Sequence, residues 1–374
     1  MSGPVETTYT YPELVRSSCR YLVEQSPDVV QIDSTAIDRF LDSINVERFA
    51  KLCKGWIAFP LKFDTPEDEV TLVALIDLLN FGSGYRKELH AATGRGASDT
   101  ILFGCMGLYL SGSAASSAAS PLSAEALTQL HLADVASVFG IPLLGPEEPH
   151  PTIPGLTLSQ PSPLRELVQK LTDTMVETGR ILKAGGYRSL GQFILEATKK
   201  PDHAPVHWRP SVADLVGKLV TTFPAFQDYK LSEQHDIYLI KRAQLLVADL
   251  NERFKKPESP VFAHFDFPDV PALTVFADNV LPTVLGHLGI LRITSSSLQT
   301  SINALEPISE DNMWILRAAA VQACELDPQS ADHISHLARE MQHATVLDHY
   351  LWHVGKDPEI RNIPRLVYKD TVFF

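Results

Sequence analysis

Apolar residues along this chain recur mostly at three- and four-residue steps, the period of a helix with one buried face. Between Pro163 and Lys183, the positions Leu164, Leu167, Val168, Leu171, Met175 and Ile181 make such a stripe, and Gly185-Gly186 closes it as a C-terminal cap should. The same pattern predicts helices over Tyr11 to Gln25, Val212 to Thr222, Ile237 to Phe254, Leu281 to Leu291, Asp311 to Leu326 and Ser330 to Val354. Val70 to Asn80 is apolar over more residues than an ordinary strand holds, so it too is expected to be helical. Strand signals are thin, confined to Trp56 to Phe63 and Pro364 to Phe374. The expected fold class is mainly α with little β.

Three segments interrupt this pattern. Ser111 to Ala126 is a Ser/Ala/Gly run and is expected to be flexible; Lys255 to Pro271 is rich in Pro and Phe and reads as a linker-like loop. Leu144 to Ser162 carries five prolines and suits an ordered crossing or an extended arm. None of them marks a convincing boundary, so residues 1–374 are expected to form one helical domain.

Bulk properties narrow the function. The chain has 374 residues, 45% of them hydrophobic, and a net charge of −13 with no Lys/Arg block. That balance disfavours direct nucleic-acid binding, yet one or two placed cations suffice for a single phosphorylated metabolite. No secretory leader and no apolar run of membrane-spanning length is visible, and the four cysteines share no CxxC spacing. A cytoplasmic protein with buried thiols, without a metal, a cofactor, a membrane or an obligate protein partner, is the expectation.

Chemistry concentrates in two windows. In Ile237 to Phe254, the positions Ile240, Ala243, Val247, Leu250 and Phe254 form a core stripe at steps of 3, 4, 3 and 4. Lys241 lies beside that stripe, four residues from both Ile237 and Leu245. Its ammonium either snorkels to water, which periodicity alone favours, or points into a cavity. In Leu273 to Leu288, Asp278 follows an apolar run and precedes a helix. It either caps that helix or aims a carboxylate into a pocket, and one carboxylate can do both. A lysine and an aspartate facing one nucleoside can cleave a ribosyl C–N bond. The carboxylate stabilises positive charge on the sugar or directs water, and the lysine assists the departing base or holds a phosphate.

At these windows the chain resembles the queuosine salvage family. The resemblance rests on Lys241-Arg242-Ala243-Gln244 and Phe276-Ala277-Asp278, with Leu79-Asn80-Phe81, Glu177 to Leu182, Phe223 to Asp228, Arg317 to Glu325 and Leu347-Asp348-His349-Tyr350-Leu351-Trp352 in the same order. It implies a helical fold similar to the helix-hairpin-helix DNA glycosylases. The implied reaction is metal-free hydrolysis of queuosine 5′-monophosphate to queuine and ribose 5-phosphate. It makes Lys241 and Asp278 the catalytic residues and offers Asn80, Phe81, Arg86, Arg242, Phe276, Asn279, Asp348 and Trp352 as substrate contacts. Where the family commonly reads Phe-Ala-Asp-Tyr-Arg, Asn279 and Val280 stand here; where it reads Asn-Phe-x-Phe-Trp, Gly82 to Arg86 follow Asn80-Phe81. Those departures keep two alternatives open: an N-glycosidase of another nucleotide, and a helical ligand-binding protein without catalysis.

Other features carry weaker readings. His333, His336 and His343 can share a helix face, but no Glu accompanies them, so solvated or partner-contacting histidines are expected rather than a metal site. Gly94-Arg95-Gly96 reads as a turn before it reads as a phosphate loop. Tyr350 and Trp352 suit core packing, with base stacking as the rival. Asn80 either ends a helix or bonds a base.

Overall fold

The computed structural model describes residues 9–53, 60–113, 120–150, 152–325 and 343–374. Its contacts divide into two compact units, one made of Met1–Pro60 and Thr198–Tyr368, the other of Leu61–Ala197 and Lys369–Phe374. Both are mainly helical. Among the described residues the only sheets are three antiparallel strand pairs: Val30–Ile32 with Leu291–Ile293, Leu144–Pro149 with Thr157–Pro161, and Tyr229–Lys230 with Ile237–Tyr238.

The larger unit is built around the helix Glu310–Cys324, which the Ser309 hydroxyl caps by accepting from the Asn312 N–H. Residues Met313 to Val321 are all buried, so this helix is covered on every side. The helix Tyr11–Glu24 packs along it. Its start is fixed by Pro12 in the first turn and by the Glu13 carboxylate accepting from the Thr10 N–H. Arg16 on that helix pairs with Glu325 and donates to the carbonyls of Ala272 and Leu273, pinning the approach to the second chemical window.

In the smaller unit the helix Pro66–Leu78 is the buried one, with Val70 to Leu78 all inside. Thr65 caps it, and Glu67, Asp68 and Glu69 in its first turn suit the positive end of the helix dipole. The helix Arg165–Ala184 buries Leu167, Val168, Leu171, Met175 and Leu182, while Ile181 is half-buried. The proline-rich arm is a hairpin, Leu144–Pro149 against Thr157–Pro161, exposed along nearly its whole length.

Several expectations need correction. The helix expected from Ile237 begins only at Lys241. Ile237 and Tyr238 are a strand, and Ile240 takes the left-handed conformation, φ 52°, that breaks the chain direction between them. The helix expected over Leu281 to Leu291 ends at His287. Gly289, at φ 75°, turns the chain so that Leu291–Ile293 pairs with Val30–Ile32. Pro364 to Phe374 forms no strand and makes only an isolated bridge, Val367 to Pro307. Pro60 to Phe63 forms no strand, and the rest of the Trp56 to Phe63 window lies outside the described residues. Of Ser111 to Ala126, residues 111–113 and 124–126 belong to the helices Ala97–Ser113 and Ala124–Thr128, and residues 120–123 form a turn. Three cysteines are buried, but Cys53 is only half-buried, near the end of a short amphipathic helix.

Gly191 offers a direct test of the packing in the smaller unit. Its N–H donates to the Thr71 hydroxyl, and a Cβ there would lie 2.3 Å from that oxygen and 2.6 Å from the Glu67 carbonyl. Helix propensity alone favours Ala over Gly by roughly 1 kcal/mol. Gly191→Ala is nevertheless expected to destabilise the chain by about 1–3 kcal/mol, because a backbone carbonyl must move. Thermal melting checks it: an unchanged or raised Tm would contradict the close approach.

Candidate active site

Lys241 and Asp278 both stand at helix beginnings in the larger unit. Lys241 is the first residue of the helix Lys241–Phe254, and only 4% of it is exposed. The structure thus decides between its two readings: the side chain is buried and does not snorkel to water. Burial drives its pKa down to about 8, against the pull of the nearby Asp278 carboxylate, while Arg317 and Arg242 push it lower. Near neutral pH it is still mostly an ammonium, with a proton it can readily give up.

Asp278 precedes the helix Val280–His287 and is partly exposed. Its Oδ1 accepts the N–H of Val280 at 2.6 Å and of Leu281 at 3.4 Å. It is therefore a helix cap, and none of the described hydrogen bonds reaches Oδ2. One oxygen thus fixes the side chain at the start of the helix.

Side chains from three helices hold the segment that leads to Asp278. Gln244 receives the Thr274 N–H at 3.0 Å and donates to the Thr274 hydroxyl at 3.0 Å. The Phe276 N–H donates to Asp348 Oδ1 at 2.7 Å. Arg317 Nε donates to the Ala277 carbonyl at 2.8 Å. Arg317 also grips Asp228 with two teeth, at 3.0 and 2.6 Å, and Asp228 Oδ2 accepts the Lys241 N–H at 3.1 Å. Asp228, Gln244, Thr274 and Arg317 are all essentially inaccessible to solvent.

Asp348 is the third carboxylate of the cluster. Burial raises its pKa to about 7, opposed by the Phe276 N–H, helped by the charge of Asp278 and opposed again by Lys241. Lys241, Asp278 and Asp348 therefore lie within one another's electrostatic reach, and Phe276 is joined to them through its backbone.

The remaining sequence candidates fall into distinct surroundings. Arg242 is buried, with its pKa lowered to about 9 chiefly by desolvation, and its guanidinium donates to the Ala225 carbonyl. Asn279 is buried; its amide donates to the Leu366 carbonyl at 3.4 Å. The Trp352 ring is half-buried, and the Lys356 ammonium sits 3.3 Å from its centre, a cation–π contact. Asn80, Phe81 and Arg86 belong to the smaller unit. There the Asn80 N–H donates to the Asp77 carbonyl in the turn that ends Pro66–Leu78, and Phe81 is buried. Gly82 follows at φ 93°, where a Cβ would meet Leu167 at 2.9 Å, so the backbone there needs glycine; Ser83 and Gly84 stand where the family pattern has its aromatic pair.

Gly94 ends a helix in the left-handed conformation and Arg95 donates to the Phe139 carbonyl, so Gly94-Arg95-Gly96 is the expected turn. His333 and His336 lie outside the described residues, and among those described no group of three metal-ligating side chains occurs. A cavity of about 550 Å3 lies in the smaller unit and is lined by Glu67, Asp68, Glu125, Lys183 and Arg188 among others; Lys241 and Asp278 do not line it.

Asp228 and Arg317 were not singled out as site residues from the sequence. A signal was present, because Arg317 is the one charge between Asp311 and Glu325 in an otherwise apolar helix. A lone charge inside such a run implies a buried partner.

The model of the family described as queuosine salvage protein matches residues 164–371. The chain is similar to the queuosine 5′-phosphate N-glycosylase/hydrolase of Mus musculus, 24% identical across 93% of this chain and 95% of that one. It is similar to the proteins of the same name from Schizosaccharomyces pombe (strain 972), 28% identical, and Nematostella vectensis, 26% identical. Those two alignments cover 38% and 54% of this chain, and the chain spans 38% and 57% of the respective relatives.

The displaced pKa of Asp348 gives a stability prediction. Its ordinary value is 3.8 and its folded value about 7, so between those limits the folded chain holds a proton that the unfolded chain has lost. Stability from this group therefore falls as pH rises from about 4 to about 7 and stays low above. Asp348→Asn keeps an acceptor for Phe276 but removes the titration. Relative to the parent, the variant should gain stability across that window, by on the order of a few kcal/mol at most. Urea unfolding of both proteins at several pH values checks this; a difference independent of pH would rule out a buried, proton-holding Asp348.

Proposed function

Because this chain belongs to the queuosine salvage protein family, we propose that it hydrolyses the N-glycosidic bond of queuosine 5′-monophosphate. The products are queuine and ribose 5-phosphate. The observation that carries this reading is a buried lysine and a capping aspartate within each other's field at two helix beginnings. The curated relatives named queuosine 5′-phosphate N-glycosylase/hydrolase support the substrate.

In the proposed reaction the bond from the ribose C1′ to the base nitrogen breaks, and its electron pair leaves on the base. Oxygen of a water molecule bonds to C1′, and one of its protons ends on the base. The base has carbon at position 7, so protonation there does not help it depart. Stabilising the sugar cation matters correspondingly more. Asp278 fits that role, since one carboxylate oxygen is fixed by backbone N–H groups and its charge is held in place before the reaction begins. Lys241 fits the departing base or the phosphate, as a cation whose lowered pKa also makes it a competent acid. The chain's net charge of −13 supports a free nucleotide over a tRNA as substrate. Its four free thiols support a cytoplasmic location, and no described helix is long and apolar enough to cross a membrane.

Incubation with queuosine 5′-monophosphate, with mass spectrometry for free queuine, is the first test; absence of queuine would refute the reading. Asp278→Asn should then lower turnover by about 10²–10³. Asn retains an oxygen to cap Val280, so stability should change by no more than about 1 kcal/mol. Near-normal turnover with a sharply lowered Tm would make Asp278 a cap and nothing more.

Lys241 supplies a pH prediction with its own sign. If the ammonium is the working form, kcat falls as pH rises through about 8. Lys241→Met should remove that limb and most of the activity while holding or raising the Tm, because burial disfavours the charge it deletes. A parent profile flat across this range would exclude Lys241 as the working cation.

A further inference from the structure

We propose that Asp228 and Arg317 form a positioning pair for the glycosidic step, one buried ionic joint that fixes the backbone under Lys241 and under Asp278 together. The proposal rests on the hydrolase reading and deepens it. Neither residue is a catalytic group here; both act through others.

The geometry has a particular economy of contacts. The pair itself is two-toothed and sealed from water, Arg317 being 0% and Asp228 1% exposed. Among their further contacts, one from each partner ends on the backbone at or beside a candidate catalytic residue. From Asp228, Oδ2 takes the N–H of Lys241 itself. From Arg317, Nε holds the carbonyl of Ala277, whose peptide bond leads into Asp278. Two side chains therefore span the gap between Lys241 and Ala277, 36 residues apart in sequence.

The approach to Lys241 is held by the same residue. The Asp228 backbone carbonyl accepts the N–H of Leu239 at 3.0 Å and of Ile240 at 3.1 Å. Three consecutive N–H groups, from 239 to 241, thus converge on Asp228. Ile240 between them adopts φ 52°, a conformation that β-branched residues avoid and that persists only where the surroundings enforce it. Any residue at 228 keeps the two carbonyl contacts, but without the Asp228 carboxylate the Lys241 N–H loses its partner, and the helix start carrying Lys241 is freer to turn at the strained Ile240.

The choice of arginine also fits. A guanidinium offers five donors in a rigid plane, and here Nε and both terminal nitrogens are aimed at two different acceptors. A lysine could keep the charge opposite Asp228 but could not also keep the planar grip on Ala277. A pair serving stability alone would not need this, because buried ion pairs are often replaceable by apolar residues of similar volume with no loss of stability.

Three proteins test the idea: the parent, Arg317→Lys, and the double replacement Asp228→Leu with Arg317→Met. For each, kcat and KM on queuosine 5′-monophosphate are measured per folded molecule, with Tm alongside. Arg317→Lys is expected to lose roughly 10–100-fold in kcat with KM little changed, since small misplacements of reacting groups cost about that much. The apolar double variant is expected to melt near the parent and to be at least as slow. Normal kcat in a folded Arg317→Lys or in a folded double variant would overturn the positioning role and leave the hydrolase reading intact. Loss of activity that only tracks loss of folded protein would overturn it equally. A parent that releases no queuine would instead overturn the hydrolase reading, and the positioning role with it.

Discussion

A carboxylate and a guanidinium removed from water together are stable only if nearly every donor and acceptor finds a partner. Asp228 and Arg317 come close to meeting that condition. Arg317 divides its donors between Asp228 and the Ala277 carbonyl, and Asp228 adds the Lys241 N–H to the two guanidinium contacts. This requirement explains the composition of the helix that carries Arg317. Ala318, Ala319 and Ala320 follow it, all fully buried, so neighbouring elements can approach closely enough for a buried guanidinium to reach them. Packing and polarity are satisfied by one arrangement, and moving either partner would leave the other charged and unpaired.

From that joint the rest of the candidate site can be built outward. The segment from Thr274 to Asp278 has no regular secondary structure and belongs to no sheet, so strand neighbours do not satisfy its backbone groups. Gln244, Asp348 and Arg317 supply the partners instead, one each for Thr274, Phe276 and Ala277. A strand ladder repeats every two residues and can slip by one register. Three different side chains from three helices fix one register only. The helix starting at Val280 then takes over, with Asp278 as its cap. Position and charge at Asp278 are thus set before any ligand arrives, which is what electrostatic catalysis requires of a charged group.

How much of this could be read from the sequence follows from the distance over which each cause acts. Helices with a full amphipathic stripe, such as Arg165–Ala184 and Val212–Thr222, are local phenomena and were predicted nearly to their ends. Short helices such as Ser34–Ser43 and Leu132–Phe139 were passed over, because two or three turns hold too few periodic positions to stand out. The start of the Lys241 helix was misplaced by four residues because the apolar pattern runs unbroken across Ile240, whereas its left-handed turn is imposed by Asp228, twelve residues upstream. For the same reason periodicity favoured a snorkelling Lys241 and the structure buries it. Asp278 was legible as a cap from its own window. Its supporting ties were not, since Asp348 and Arg317 reach this segment across 72 and 40 residues.

Three carboxylates now stand in one cluster, and their surroundings divide them by task. Asp228 is committed to Arg317, and the negative charge it carries is matched within the core. Asp348 is buried with one backbone donor, and its pKa near 7 leaves it partly protonated at neutral pH, so it contributes less than a full charge. Asp278 alone is partly open to solvent, has a single oxygen engaged by backbone and lies in the field of the Lys241 cation. Sorting like groups by environment is how one fold obtains different chemistry from the same side chain. Here the sorting leaves Asp278 as the carboxylate of the cluster that is partly open to solvent, and the proposed mechanism gives the sugar cation to that residue. A poorly charged Asp348, raised chiefly by burial, fits that proposal, because like charges held close together raise the cost of ionising either.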